Sequence, residues 1–392
     1  MRMKNLILML AFILTVNLFP QEELLMEEAQ KIYEEVKRNF APDKRTAMFD
    51  IKLTMEKDSI ILEGETNLEE AKNELVDQLT KAGYKLKDEV ELLPAKELGE
   101  KIFGVVNLSV ANIRAKSEHS SELVTQALLG SPVKVYKKNR GWYLIQTTDN
   151  YLGWVDYDGI ELMNKSSLDE WNKTNKVIYT RIFGMSYSEK DKHSIPVSDV
   201  VAGDLFVKLE EENQYIKVLY PDGRIAYLEA NEAKDYKSWL SSLKINSDNI
   251  ISTAKSLMGL PYLWGGTSVK GVDCSGYTKT VFFLNGILLP RDASQQAHVG
   301  ELIDTKDGFD NLLPGDLLFF GSKETEDKPE RIIHVGIYIG NMEFIHSSGR
   351  VKINSLDRSK ENFSEYRFNT FVKAKRILSS IGKNGVKSIQ AE

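Results

Sequence analysis

The chain has a single cysteine, Cys274, in the run Gly271-Val272-Asp273-Cys274-Ser275-Gly276-Tyr277. Among the histidines downstream of it are His334 and His346. A thiol beside an imidazole is a nucleophile beside a base, the pairing that acyl transfer needs. The run Tyr277 to Leu284 has helical character and ends near Asn285-Gly286, so Cys274 is expected at a helix N-terminus. Free backbone N–H groups and the positive end of the helix dipole there favour a thiolate, and can hold an oxyanion. His334 lies in the strand-like run Ile332 to Gly340, where alternation puts His334, Gly336 and Tyr338 on one face. Gly340-Asn341 reads as a hairpin turn into Phe344-Ile345-His346-Ser347, so the two histidines can lie side by side. His334 would then deprotonate Cys274, and His346 would fix its ring and tautomer. Two other readings stand beside this one. A lone cysteine is commonly a small buried apolar residue, and one thiolate with two imidazoles is also a partial zinc ligand set.

The elements that must position these residues occupy the last third of the chain. Asn249 to Leu257 reads as an amphipathic helix, and Gly259 to Gly266 as a turn-rich loop carrying Tyr262 and Trp264. Ahead of them, residues 102 to 163 give short strands at close spacing: Val105–Val110, Pro132–Tyr136, Trp142–Gln146 and Tyr151–Val155. Polar turns separate them, the pattern of a small β-barrel. The Gly141-Trp142 and Gly153-Trp154-Val155 pieces resemble a bacterial SH3-like barrel. A fainter set follows at Val177–Phe183, Asp204–Leu209, Tyr215–Leu219 and Ile225–Leu228, read as a second, diverged barrel. Residues 24 to 40 and 67 to 82 have helical spacing, the second capped by Asn67 with Glu70 three residues later. With strands over Ala47–Gly64 and Leu86–Leu93, they make a small α/β module without a chemical signature.

Length and composition bound the rest. At 392 residues, two to four domains are expected. Hydrophobic residues at 42% and charged residues at 28% exclude a largely disordered chain. A net charge of −6 gives no electrostatic footprint for nucleic acid. One cysteine excludes an intrachain disulfide and any zinc site needing two thiolates. Arg2 and Lys4, the apolar run Leu6–Val16 and the acidic Glu22, Glu23, Glu27 and Glu28 have the layout of a secretory signal peptide. That run is too short to span a membrane. The mature chain is therefore expected outside the cytoplasm, periplasmic or secreted. A free thiol in an oxidising compartment is a liability unless it has a function.

Residues 248 to 378 resemble the NlpC/P60 cysteine peptidases. The matching pieces are Pro261-Tyr262-Leu263-Trp264-Gly265-Gly266, Asp273-Cys274-Ser275-Gly276, Leu289-Pro290-Arg291-Asp292-Ala293-Ser294-Gln295, Leu313-Pro314-Gly315-Asp316, His334-Val335-Gly336-Ile337-Tyr338 and Phe344-Ile345-His346-Ser347. The resemblance implies an α+β architecture, a papain-like catalytic domain behind two SH3-like barrels and the N-terminal module. The implied division is a leader at 1–21, the module at 22–98, barrels at 99–165 and 166–240, the peptidase domain at 241–380 and a tail at 381–392. It implies Cys274 as nucleophile, His334 as base and acid, and His346 as the orienting third member, with no metal or organic cofactor. With its barrels, the chain looks like the subgroup that cuts peptidoglycan stem peptides between γ-D-glutamate and a diamino acid, next to a free N-terminal L-alanine. By position, Tyr262, Asp273 and Ser275 would surround that amine, Tyr151 and Glu122 would reach in from the first barrel, and Ser294 would line the γ-glutamyl subsite. A wall-binding scaffold, or a different amidase or acyl-transfer activity on the same fold, is the competing reading.

Overall fold

The computed structural model describes residues 23–389, so the leader expected over 1–21 lies outside the described residues. The chain divides into two compact units, one up to Gly99 and one from Glu100 onward. In the first, a helix over 23–40 and the helix Glu69–Lys81 accompany a three-stranded sheet. Strands Phe49–Glu56 and Ser59–Thr66 pair antiparallel, and Lys85–Leu92 joins Ser59–Thr66 in parallel across the helical crossover. Ala29, Tyr33 and Val36 close over Ile51, Leu62, Leu75 and Leu79 to form its core. Asn67 does not cap the helix: the cap position is Leu68, without a side-chain bond. Asn67 instead accepts the Met48 N–H at 2.8 Å, so its amide serves the neighbouring strand entry.

The second unit begins with two seven-stranded sheets. The first runs Ile160–Met163, Phe103–Val106, Pro132–Asn139, Trp142–Gln146, Leu152–Asp156, Val110–Arg114, Leu123–Leu128. The second runs Ala233–Asp235, Lys176–Tyr179, Leu205–Glu212, Tyr215–Leu219, Ile225–Glu229, Phe183–Tyr187, Pro196–Val201. Counted by appearance in the chain, both follow the order 7-1-4-5-6-2-3, so the fainter segment repeats the topology of the clearer one. Two runs expected as single strands, Val105–Val110 and Val177–Phe183, each break into two strands that are not neighbours. The chain turns at Asn107-Leu108-Ser109 and at Thr180-Arg181-Ile182. The short polar interruptions there do not distinguish a corner, where the chain changes sheet edge, from a solvent-facing strand position.

The remainder is α+β. Helices Ser247–Ser256 and Cys274–Phe283 precede a six-stranded antiparallel sheet ordered Glu301–Ile303, Phe371–Arg376, Leu317–Ser322, Arg331–Gly340, Glu343–Ser348, Arg350–Ser355. Tyr277, Val281 and Phe282 of the second helix pack on Leu317, Phe319, Val335, Ile337 and Ile345. The alternate residues Leu318, Phe320, Tyr338 and Phe344 join a second core. Both faces of the central strands are therefore covered, which is why they read as continuous apolar runs. Within the segment read as a tail, Lys387–Ser388 pairs with Ile287–Leu288, and Val386 joins the main core. No helix among the described residues is long and apolar enough to cross a membrane.

Among the contacts that tie the first barrel to the α+β part is one buried side chain with three hydrogen bonds. Gln126 Oε1 accepts the Thr267 N–H at 3.0 Å and the Ser268 hydroxyl at 2.9 Å, while its Nε2 donates to Asn112 Oδ1 at 2.9 Å. Replacing Gln126 by Ala strands a buried N–H and a buried hydroxyl, at about 1–3 kcal/mol each. Urea unfolding of the whole chain should show Gln126→Ala losing about 2–4 kcal/mol from the transition of this unit. An unchanged midpoint would mean that the contact carries no load.

Candidate active site

The helix carrying Cys274 starts where it does because Asp273 caps it. Asp273 Oδ1 accepts the Gly276 N–H at 2.7 Å, a bond typically worth about 1 kcal/mol at a helix start. Cys274 thus occupies the first helical position, where backbone N–H groups lack intrahelical partners. The residue is only 8% exposed. The Ser275 and Val335 backbone N–H groups reach its sulfur and favour the anion. Burial outweighs them, with the Asp273 charge acting in the same direction, and pushes the thiol up to about 11. The helix terminus alone led to a thiolate; in the folded chain the resting sulfur is a neutral thiol.

Such a thiol needs somewhere to put its proton. His334 is on strand Arg331–Gly340 and His346 on strand Glu343–Ser348. The register sets Ile337 opposite Ile345, so His346 faces Gly336 and the two histidines meet on the diagonal. Gly336 is required there: a Cβ would lie 2.9 Å from the Phe344 ring and 3.2 Å from His346 Cβ. His334 Nε2 and His346 Nδ1 are 2.7 Å apart, and His346 Nε2 lies 2.9 Å from Asn354 Oδ1. Asn354 Nδ2 in turn donates to the Asn362 carbonyl at 2.9 Å.

These bonds fix every proton in the row. The Asn362 carbonyl can only accept, so the Asn354 amide is oriented with Oδ1 toward His346. Asn354 Oδ1 can only accept, so His346 carries its proton on Nε2. His346 Nδ1 must then accept, and His334 Nε2 donates to it. His334 Nδ1 is left with a lone pair, free to accept a proton. Both rings are neutral, as this row demands: burial, then the neighbouring imidazole, holds His334 well below its ordinary value, and burial takes His346 down to about 4. The same bonds weigh against zinc, since three of the four ring nitrogens are already engaged.

The other side of the cysteine is organised by a buried ion pair. Arg291 is 1% exposed, and its guanidinium meets Asp273 at 2.5 Å and 3.2 Å and Ser275 Oγ at 3.1 Å. Burial works against that charge, but Asp273 beside it prevails and keeps the guanidinium protonated. Asp273 also accepts the Gly265 N–H at 3.0 Å and the Ser275 hydroxyl at 3.3 Å. Its lone pairs are therefore committed within the protein. Tyr151, from the first barrel, donates to Asp292 at 3.1 Å. Glu122, also from that barrel, is exposed and accepts the Trp264 indole N–H at 2.6 Å. The barrel presses directly on this loop: a Cβ on Gly265, at φ +78°, would lie 2.1 Å from the Leu123 carbonyl oxygen. Tyr262 is half-buried, and its phenol is pushed up to about 12, first by burial and then by Cys274 and Asp273. It stays a neutral O–H donor, near enough for the Cys274 charge to act on it. Ser294 sits half-buried on the short helix Ala293–Gln296, whose capping box is made by Asp292 and Gln295.

Asn354 and Asn362 were not singled out in the sequence. Their trace was a polar residue in the apolar alternation after His346, a weak mark for any strand. Asn354→Ala should lower kcat of whatever hydrolysis Cys274 supports by about 10- to 100-fold, because the imidazole row loses its fixed tautomer. KM should change little. An unchanged kcat, in a variant of wild-type thermal stability, would remove Asn354 from this account.

The NlpC/P60 family model matches residues 259–372, and the bacterial SH3 domain model matches residues 109–161. Gamma-D-glutamyl-L-lysine dipeptidyl-peptidase of Bacillus cereus ATCC 10987 is 33% identical over 58% of this chain and 68% of its own length. The protein of the same name from Bacillus subtilis 168 is 30% identical over 57% and 71%. Dipeptidyl-peptidase 6 of Lysinibacillus sphaericus is 27% identical over 64% and 91%. A crystal structure of an NlpC/P60 family protein from Bacillus cereus ATCC 10987 superposes with a TM-score of 0.60 at 25% identity, covering 70% of this chain and 99% of that one. The chain belongs to the NlpC/P60 family of cysteine peptidases and carries a bacterial SH3 domain ahead of the family segment.

Proposed function

We propose that this chain hydrolyses the bond between γ-D-glutamate and an L-diamino acid in peptidoglycan stem peptides that begin with a free L-alanine, using Cys274 as nucleophile. The observation that carries the reading is the proton row ending at His334 Nδ1, together with a single cysteine at a helix start whose sulfur is reached by the backbone N–H of Val335, the residue after His334. Relatives named gamma-D-glutamyl-L-lysine dipeptidyl-peptidase, at 33% and 30% identity, supply the bond.

The chemistry proceeds in two halves. As Cys274 sulfur attacks the γ-glutamyl carbonyl carbon, its proton passes to His334 Nδ1. The resulting oxyanion meets the Cys274 backbone N–H and the Tyr262 hydroxyl. The C–N bond then breaks, and His334 returns the proton to the departing amine, leaving a thioester. Water attacks the thioester and gives a proton to His334. The carbon–sulfur bond breaks, L-Ala-γ-D-Glu departs with a new carboxyl group, and the sulfur recovers its proton.

Recognition of the alanine ammonium falls to acidic and hydroxyl groups around the Asp273–Arg291 pair. Asp273 and Ser275 shape this subsite while already bonded within the protein, so direct charge pairing rests on Glu122 and on Asp292 with Tyr151. Ser294 lines the glutamyl portion. A stem peptide lies outside the cytoplasm, which agrees with reading residues 1–21 as an export leader into the periplasm or medium. The repeated 7-1-4-5-6-2-3 order supports dividing residues 99–240 into two barrels.

The test is hydrolysis of L-Ala-γ-D-Glu-L-Lys, followed by mass spectrometry, with its N-acetylated form alongside. Cys274→Ala should cut at least about 1,000-fold more slowly. N-acetylation should reduce kcat/KM by about 100-fold or more, since the acidic subsite loses the cation it pairs with and must accommodate an acetyl group in its place. Equal rates for Cys274→Ala and wild type would refute the nucleophile. Equal rates for free and acetylated peptides would refute the free-amine requirement.

A further inference from the structure

The surroundings of Cys274 carry opposite charge on their two sides. Asp273, Asp292 and Glu122 lie on the side of Ser275 and Tyr151, with one cation, Arg291, already paired there. On the histidine side two cations stand without such partners. Arg367, on the short helix Glu365–Asn369, is half-buried, and its guanidinium makes no hydrogen bond or ion pair among the described residues. It stacks on the Tyr366 ring at 5.1 Å and on the Phe320 ring at 5.6 Å. The Phe320 ring is itself 5.9 Å from the His334 ring. The groups that act on the Arg367 charge are the Tyr366 and Tyr262 phenols and the Cys274 thiol, while Arg367 acts on both histidines. Lys352, half-buried and directly across the strand pair from His346, acts on the same two rings and has no ion-pair partner among the described residues.

A guanidinium held against aromatic faces, partly out of water and without an anion, is a site waiting for a carboxylate. His334 hands its proton to the departing amine, so the departing residue occupies this side of the cleft. We propose that Arg367, supported by Lys352, binds a carboxylate of the departing diamino acid and so makes the enzyme prefer leaving residues that carry one near the scissile bond. This rests on the substrate reading above. Two carboxylates meet the description: the α-carboxylate of a residue that ends the peptide, and the side-chain carboxylate of diaminopimelate.

The experiment measures kcat/KM for three peptides with the full chain: L-Ala-γ-D-Glu-L-Lys, its α-carboxamide, and L-Ala-γ-D-Glu-diaminopimelate with the α-carboxyl amidated. Wild type should favour the free acid over the carboxamide by about 10- to 100-fold, the range of a charge-assisted bidentate contact. If the diaminopimelate peptide recovers that advantage, the side-chain carboxylate also reaches Arg367. In Arg367→Gln the preference for either carboxylate should shrink to about twofold or less, with Arg367→Lys between. A preference as large in Arg367→Gln as in wild type, or no preference in wild type, overturns the inference and leaves the substrate reading standing. Wild type that cuts none of the three overturns both.

Discussion

The hydrogen bond between His334 Nε2 and His346 Nδ1 is the interaction on which the rest depends. A neutral thiol attacks poorly, and burial keeps this thiol neutral. Attack therefore requires an acceptor whose lone pair is already turned toward the sulfur. The imidazole–imidazole bond settles which nitrogen holds the proton and leaves His334 Nδ1 with the lone pair, and the amide of Asn354 fixes it one link further back. Strand architecture makes the row possible. The two rings meet diagonally across a hairpin, over a glycine that leaves the space open, and Asn354 is presented by the next strand in order. Burial has two consequences here: it raises the thiol, and it keeps both rings unprotonated so that the row survives into the mildly acid range.

The Asp273–Arg291 pair plays the matching role on the other side. One carboxylate caps the helix of Cys274, holds the Gly265 backbone and receives the guanidinium. Helix start, aromatic loop and Pro290–Asp292 segment are thereby fixed relative to one another. Breaking a buried pair of this kind by removing one partner typically costs about 3–5 kcal/mol. The first barrel completes the arrangement, since Leu123 packs on Gly265 and Glu122 and Tyr151 reach the same region. The result is a site with acids on one side and, among the described residues, cations without ion-pair partners on the other, a distribution suited to a short zwitterionic peptide.

Much of this was legible in the sequence because rare residue types mark it. A unique cysteine before a helical run, two histidines flanking a hairpin and a Gly-Trp-rich set of short strands each have few alternative meanings. What escaped was what many residues can do. Asn354 and Arg367 are ordinary residues on a strand and a short helix, and only the folded chain brings them to the imidazoles. Asp273 stands out in the sequence beside the cysteine, but its bonds to Arg291 and to backbone N–H groups are seen only in the folded chain. The thiol was placed by its helix, and burial, which sequence does not display, reversed the expected direction of its acidity. Strand corners in both barrels carry only short polar interruptions, Asn107 with Ser109 and Thr180 with Arg181, which a solvent-facing strand position shows equally.

The proton row can be observed without substrate. Nitrogen-15 NMR of the histidine side chains at pH 7 distinguishes a protonated ring nitrogen from one bearing a lone pair. The account requires His334 to show a proton on Nε2 and none on Nδ1, and His346 likewise. A His334 protonated on both nitrogens, or with its proton on Nδ1, would contradict it, because the sulfur would then face a donor in place of a base.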